Sequence, residues 1–183
     1  PLNWWKYGDL SEIKFLDSKG TILPQGYSFA YVSQYGLQGK IFKHLARYFE
    51  VDFLRVIISL VAAMVFFFIS VLIGRKYNYI FASVFYVTFL LGQWIVNFAD
   101  NLYWVEFTWF LPMAVGLYCA WKINVRYSRI ISYISVYIFV MLKSLCGYEY
   151  ISVIMMGSIL FLIVDFIVAV TKKNKKQSKL IFR

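Results

Sequence analysis

From Val61 to Ile73 the chain holds a single polar residue, Ser70. A backbone with so few side chains that can bond to it must satisfy its own N–H and C=O groups, and in a bilayer only helices and closed barrels do so. A transmembrane barrel shows shorter runs in which apolar and polar residues alternate, so helices are expected here. Crossing the hydrocarbon core takes roughly 17 to 25 apolar residues in a helix. Five stretches are long enough, at 54–73, 79–99, 107–123, 130–146 and 151–170. Burial inside a large soluble protein would require amphipathic partner helices, which the chain barely supplies. With 61% hydrophobic, 21% aromatic and 15% charged residues, it is far more apolar than a water-soluble domain. The fold class expected is all-α, a polytopic transmembrane helical bundle over 54–170.

Orientation follows from the basic residues, which resist translocation. Lys172, Lys173, Lys175, Lys176, Lys179 and Arg183 follow the fifth span, and alternation puts Arg75, Lys76, Lys122, Arg126 and Arg129 on the same side. The tail 171–183 is thereby cytoplasmic, with no acid in any short inner loop. The two short outer loops, 100–106 and 147–150, hold Asp100, Glu106 and Glu149 and no Lys or Arg. Eleven of the nineteen basic residues thus follow from topology and from attraction to anionic headgroups, so the net charge of +10 is not a nucleic-acid signal. Neither a dinucleotide-binding nor a P-loop pattern occurs, His44 is the only histidine, and no Cys or His repeat accompanies it, so no cofactor and no metal is expected. Cys119 and Cys146 fall at opposite ends of their spans, too far apart for a disulfide.

If the fifth span exits to the cytoplasm, residues 1–53 lie outside. The chain starts at Pro1 without a signal-peptide pattern, so this topology implies an upstream span or signal that carried the region across, and the chain reads as a fragment whose partners include further spans of the same protein. The outer region is rich in interfacial aromatics, Trp4, Trp5, Tyr7, Phe15, Tyr27, Phe29, Tyr31 and Tyr35, around the turn Leu23-Pro24-Gln25-Gly26. Residues 36–50 then read as an amphipathic helix. Leu37, Ile41, Phe42, Leu45, Tyr48 and Phe49 form its apolar face, with Lys40, Lys43, His44 and Arg47 opposite. The pattern suits a helix lying in the membrane interface or, equally, one packed on the protein's own outer region.

Chemistry would have to come from ionisable groups at or in the membrane, where they are costly. Asp100, Glu106 and Glu149 lie in outer turns short enough to bring carboxylates together above the bundle; plain solvation of loop acids is the alternative. Lys143, one turn below the end of the fourth span, would snorkel to the headgroups or meet Glu149 or a phosphate. Asp165, deep in the fifth span, would pair with a base such as Lys172 or line a cavity. Arg55 reads as an interface anchor, and Gln93 and Asn97, one turn apart, as groups that bond neighbouring helices or line a groove.

The succession Tyr31-Val32-Ser33-Gln34-Tyr35-Gly36-Leu37-Gln38-Gly39, the amphipathic helix after it, and the later Tyr103-Trp104-Val105-Glu106-Phe107 and Trp109-Phe110-Leu111-Pro112-Met113 resemble bacterial polytopic glycosyltransferases of the GT-C superfamily. The resemblance implies a bacterial plasma-membrane enzyme of the cell envelope that transfers a sugar from a polyprenyl-phosphate donor on the non-cytoplasmic face. It implies a carboxylate as base, drawn from Glu106, Glu149, Asp100 and Asp9. In that superfamily the key acid commonly sits early in the first outer loop, which here means Asp9, Glu12, Asp17 or a residue upstream of Pro1. Lys143, Arg47 and Lys43 are the groups suited to the donor phosphate, and membrane lipid is the surrounding partner. A transporter or flippase and a non-catalytic membrane subunit are the rival readings.

Overall fold

The computed structural model describes residues 35–173 together with Leu180 and Ile181. Asp9, Glu12, Asp17, the aromatic segment before Tyr35 and the tail lysines beyond Lys173 lie outside the described residues. Within them the chain forms seven α-helices and no strand: α1 Leu37–Leu45, α2 Val51–Lys76, α3 Tyr79–Leu91, α4 Gln93–Ala99, α5 Phe107–Trp121, α6 Arg126–Cys146 and α7 Ile151–Thr171. Three of them, α2, α6 and α7, are long and apolar enough to cross a membrane. Their outward faces carry large apolar side chains such as Phe67, Met64, Val153 and Met156, as lipid contact requires.

Two expected spans depart from simple rods. The stretch 79–99 is broken at Gly92, whose extended ψ of 101° ends α3, and α4 leaves at 68° to it. Glycine, with the largest backbone entropy to lose, is the weak point of such a helix. The stretch 107–123 is helical for only 15 residues, a rise of about 22 Å against a core of about 30 Å. This short helix is nevertheless the hub, for α2, α6 and α7 all pack on α5. Gly116 is why it can be so central. A Cβ built there would lie 1.7 Å from the Ser158 carbonyl oxygen, so the α5 and α7 backbones approach as only a glycine allows. On the other side of α5, Phe66, Phe89 and Phe110 interlock at centroid distances of 4.7 to 5.7 Å.

Helices alternate in direction, so the bundle has two distinguishable ends. At the acidic-loop end, Leu102 and Val105 pack with Leu54 and Ile58 of α2 and with Phe42 of α1. At the basic-loop end, Lys76 Nζ lies 2.5 Å from Asp165 Oδ2 and donates also to the Ala120 carbonyl at 3.2 Å, tying α2, α5 and α7 together. The partner of Asp165 is therefore Lys76, not Lys172: the last residue of α2 reaches across the bundle, a tertiary contact that spacing along α7 does not encode. Gln93 and Asn97 are exposed and hydrogen-bond no neighbouring helix, because the break at Gly92 swings α4 away. Helix α1 is shorter than 36–50, giving way at Leu45 to turns closed by Tyr48 N–H and Phe49 N–H on the Leu45 carbonyl. Its buried face is Gln38, Gly39 and Phe42, while Ile41, Tyr48 and Phe49 are exposed, so the face turned to the bundle is rotated from the one expected.

Gly116→Ala should force α5 from α7 and cost at least the 1–3 kcal/mol usual for overpacking, read as a lower unfolding midpoint in detergent. Gly157→Ala, whose Cβ would meet Met113 at an ordinary 3.8 Å, should leave that midpoint unchanged. Asp165→Asn should strand Lys76 and cost about 3–5 kcal/mol, whereas the double replacement Lys76→Met with Asp165→Leu should recover most of the loss.

Candidate functional site

The loop 100–106 is held by its own backbone chemistry. Asn101 Oδ1 accepts from the N–H groups of Tyr103 and Trp104, both at 3.0 Å, an Asx turn that fixes the two rings over the bundle. The loop closes at Val105, a β-branched residue at φ 47°, and the next loop closes at Tyr150 at φ 61°. Left-handed φ is unfavourable for both residues, and such strain persists only where packing over-determines it. Val105 precedes Glu106 and Tyr150 follows Glu149, so each carboxylate adjoins a residue in this conformation.

Around these turns the aromatic rings form one continuous wall. Trp104 meets Phe98, Tyr103, Trp109 and Tyr150 at centroid distances from 4.9 to 6.2 Å, and Trp109 meets Tyr150 at 5.4 Å. Lys143 Nζ stands 5.9 Å from the Trp109 ring centre. This lysine does not snorkel. It is 2% exposed, enclosed below the loops, where the charge of Glu149 acts on it. Glu149 in turn accepts from the Tyr103 hydroxyl at 3.3 Å. Helix α1 completes the enclosure: Gln38 donates through Nε2 to the Tyr103 carbonyl, and its backbone N–H meets the Cys146 thiol.

Glu106 occupies the N-cap of α5, where the positive end of the helix dipole favours a carboxylate. Burial wins over that field. The residue is 3% exposed, its Oε2 has no hydrogen-bond partner among the described residues, and loss of water lifts its pKa from 4.5 to about 7. Among the described residues the Gln38 Oε1 and Trp109 Nε1 atoms are likewise buried without a partner. Buried polar groups are nearly always satisfied, and these three atoms at one end of the bundle depart from that rule.

Of the residues singled out in the sequence, Lys143 and Glu149 are brought together, with Tyr103 between the loops. Glu106 lies one turn before Trp109 at the base of the same aromatic wall. Asp100 is exposed at the C-cap of α4, Lys43 is half-buried in the last turn of α1, and Arg47 is exposed just past it. Asp9 falls outside the described residues. The sequence does not single out Gln38, Tyr103 or Trp109 as side chains of the site. Gln38 carried a usable signal, a polar residue four before Phe42 on the face that the helix buries. Cys119 and Cys146 are both free thiols. Among the described residues no group of three His, Cys, Asp or Glu could hold a metal ion. No family model, curated protein or solved structure matches this chain.

Chemically, half-buried aromatic rings can stack on the C–H face of a ring, carboxyls can bond to hydroxyls, and an amine can bond to an anion. Because the folded state raises the Glu106 pKa, native protein binds the proton more tightly than unfolded chain. Stability should therefore fall as pH rises from 4.5 through about 7, and be unaffected by this group below that window. Glu106→Gln should flatten the fall and raise stability above pH 7 by of the order of 2–3 kcal/mol, measured by unfolding in detergent across pH.

Proposed function

We propose that this chain is a membrane glycosyltransferase that takes a sugar from a polyprenyl-phosphate donor at the acidic-loop end of its bundle. In this reading that end faces the non-cytoplasmic side of a bacterial plasma membrane, and the basic loops and tail face the cytoplasm. The observation that carries it is Glu106, a buried carboxyl whose Oε2 has no partner among the described residues and whose pKa is raised to about 7. A base that removes a proton from an acceptor hydroxyl works best with a pKa near the ambient pH. The aromatic wall supports a sugar ring beside it. Lys143, desolvated and next to Glu149, supports the charge of a leaving phosphate. Lys43 and Arg47 of the α1 region stand where the membrane surface would meet the lipid-borne donor, with the exposed Ile41, Tyr48 and Phe49 directed to the lipid.

The second reading is transport of a lipid-linked substrate. The 68° break at Gly92 favours it, since discontinuous helices commonly build transport sites. The two readings separate on one side chain. In membranes supplied with polyprenyl-phosphate sugar and acceptor, Glu106→Gln should cut transfer by about 10²–10⁴-fold. Wild-type transfer should rise with pH through about 7 as Glu106 ionises. Asp100→Asn, at an exposed position, should stay within a few-fold of wild type. Full transfer by Glu106→Gln and Glu149→Gln, with loss of substrate movement across the bilayer, would assign the chain to transport instead.

A further inference from the structure

Helices α6 and α7 both lean on α5 but barely touch each other. Between them runs a groove of about 630 Å³, within the range of small-molecule sites. Gly116 and Cys119 of α5 form its floor, Val136 and Val140 of α6 one wall, and Met155 and Ile159 of α7 the other. Its rim residues Tyr137 and Met156 are exposed, so the groove opens sideways. Near its basic-loop end the lining is not wholly apolar. Ser132 is 2% exposed, and among the described residues its hydroxyl finds only the weak partner that the Cys119 thiol offers.

Charge distinguishes the two ends of this groove. Arg129 stands one turn before Ser132, a rise of about 4.5 Å, and close enough to Cys119 for its charge to act on the thiol. One of its five N–H donors meets the Leu180 carbonyl at 3.4 Å. Lys122 and Arg126 share the same connecting turn. Asp165 is the acid at this end among the described residues, and Lys76 already neutralises it. The field at the mouth of the groove is therefore positive. We propose that the groove seats one acyl chain of an anionic glycerophospholipid, whose phosphate is held by Arg129 and the adjoining basic turn. The lipid is distinct from any substrate of the acidic-loop end, since its headgroup lies at the opposite end of the bundle. It would fill the space that the close α5–α7 approach leaves between α6 and α7, and so act as part of the packed structure.

Phosphatidylglycerol and phosphatidylcholine carrying a photoreactive diazirine in the acyl chain, each mixed into vesicles with the protein, would report occupancy by mass spectrometry of labelled peptides. Labelling should concentrate on 132–140 and 152–162 and be stronger for phosphatidylglycerol. Arg129→Gln should keep chain labelling but reduce the headgroup preference about fivefold, the effect of one basic residue at an anionic surface. Val136→Phe or Val140→Phe should reduce labelling of the groove for both lipids; should either variant fail to insert, the Arg129→Gln comparison decides alone. Labelling spread evenly over exposed helices, equal yields from both headgroups, or covalent dimers of the chain in place of lipid adducts would each overturn the proposal. Displacement of the label by equimolar polyprenyl phosphate would overturn it as well, by giving the groove to that lipid.

Discussion

The approach of Gly116 to the Ser158 carbonyl decides the shape of the bundle. With two backbones in contact there, α7 packs closely on α5, while α6 packs on α5 and barely touches α7. Between lipid-immersed helices there is no hydrophobic force to do this work, because lipid tails are as apolar as leucine, so close packing has to supply it. A helix of 15 residues, too short to span the core unaided, can then sit at the centre, since its neighbours rather than lipid surround it. The groove between α6 and α7 is the geometric remainder of the same contact.

A bundle built on dispersion has little to spare for uncompensated charge, and its two ends handle charge in opposite ways. At the basic-loop end the buried carboxylate of Asp165 meets Lys76, and Lys76 also meets a carbonyl, so both ions have partners. At the acidic-loop end, Glu106 is placed in a dry position, flanked by a left-handed valine, with one oxygen unsatisfied among the described residues. Each of these features costs free energy, and none of them helps the helices pack. Their coincidence within two turns is the reason to look for function at this end.

The spans were legible because an apolar run such as 61–73 admits few other structures, and the sign of the loops was legible because topology writes it into composition. What the sequence did not disclose depends on contacts between elements. Gly92 looks like Gly157 in the sequence, both single glycines in apolar stretches, yet one breaks a helix by 68° and the other leaves it intact. The apolar face of α1 seemed to include Ile41 and Tyr48, but in a membrane protein an apolar side chain is as well placed facing lipid as facing the bundle. Hydrophobic periodicity therefore cannot tell the two faces apart, and Gln38, with a partner only in the folded chain, marks the inner one. Lys143 misled for a related reason: nearness to a helix end suggests escape to the headgroups, while the aromatic wall overhead closes the exit.

The wall also explains how the carboxylates stay distinct. Glu149 keeps partial contact with solvent, accepts from the Tyr103 hydroxyl and lies close to Lys143. Glu106 is buried, and burial favours its neutral form against the pull of the α5 dipole. Two acids at one end of a bundle thus sit in unlike surroundings, one partly solvated beside a hydroxyl donor and one desolvated. Their loops come from different helical hairpins, α4 to α5 and α6 to α7, and the hairpins meet only because α5 packs on α7. The difference in environment therefore depends on the glycine contact in the middle of the bundle as much as on the residues that line the site.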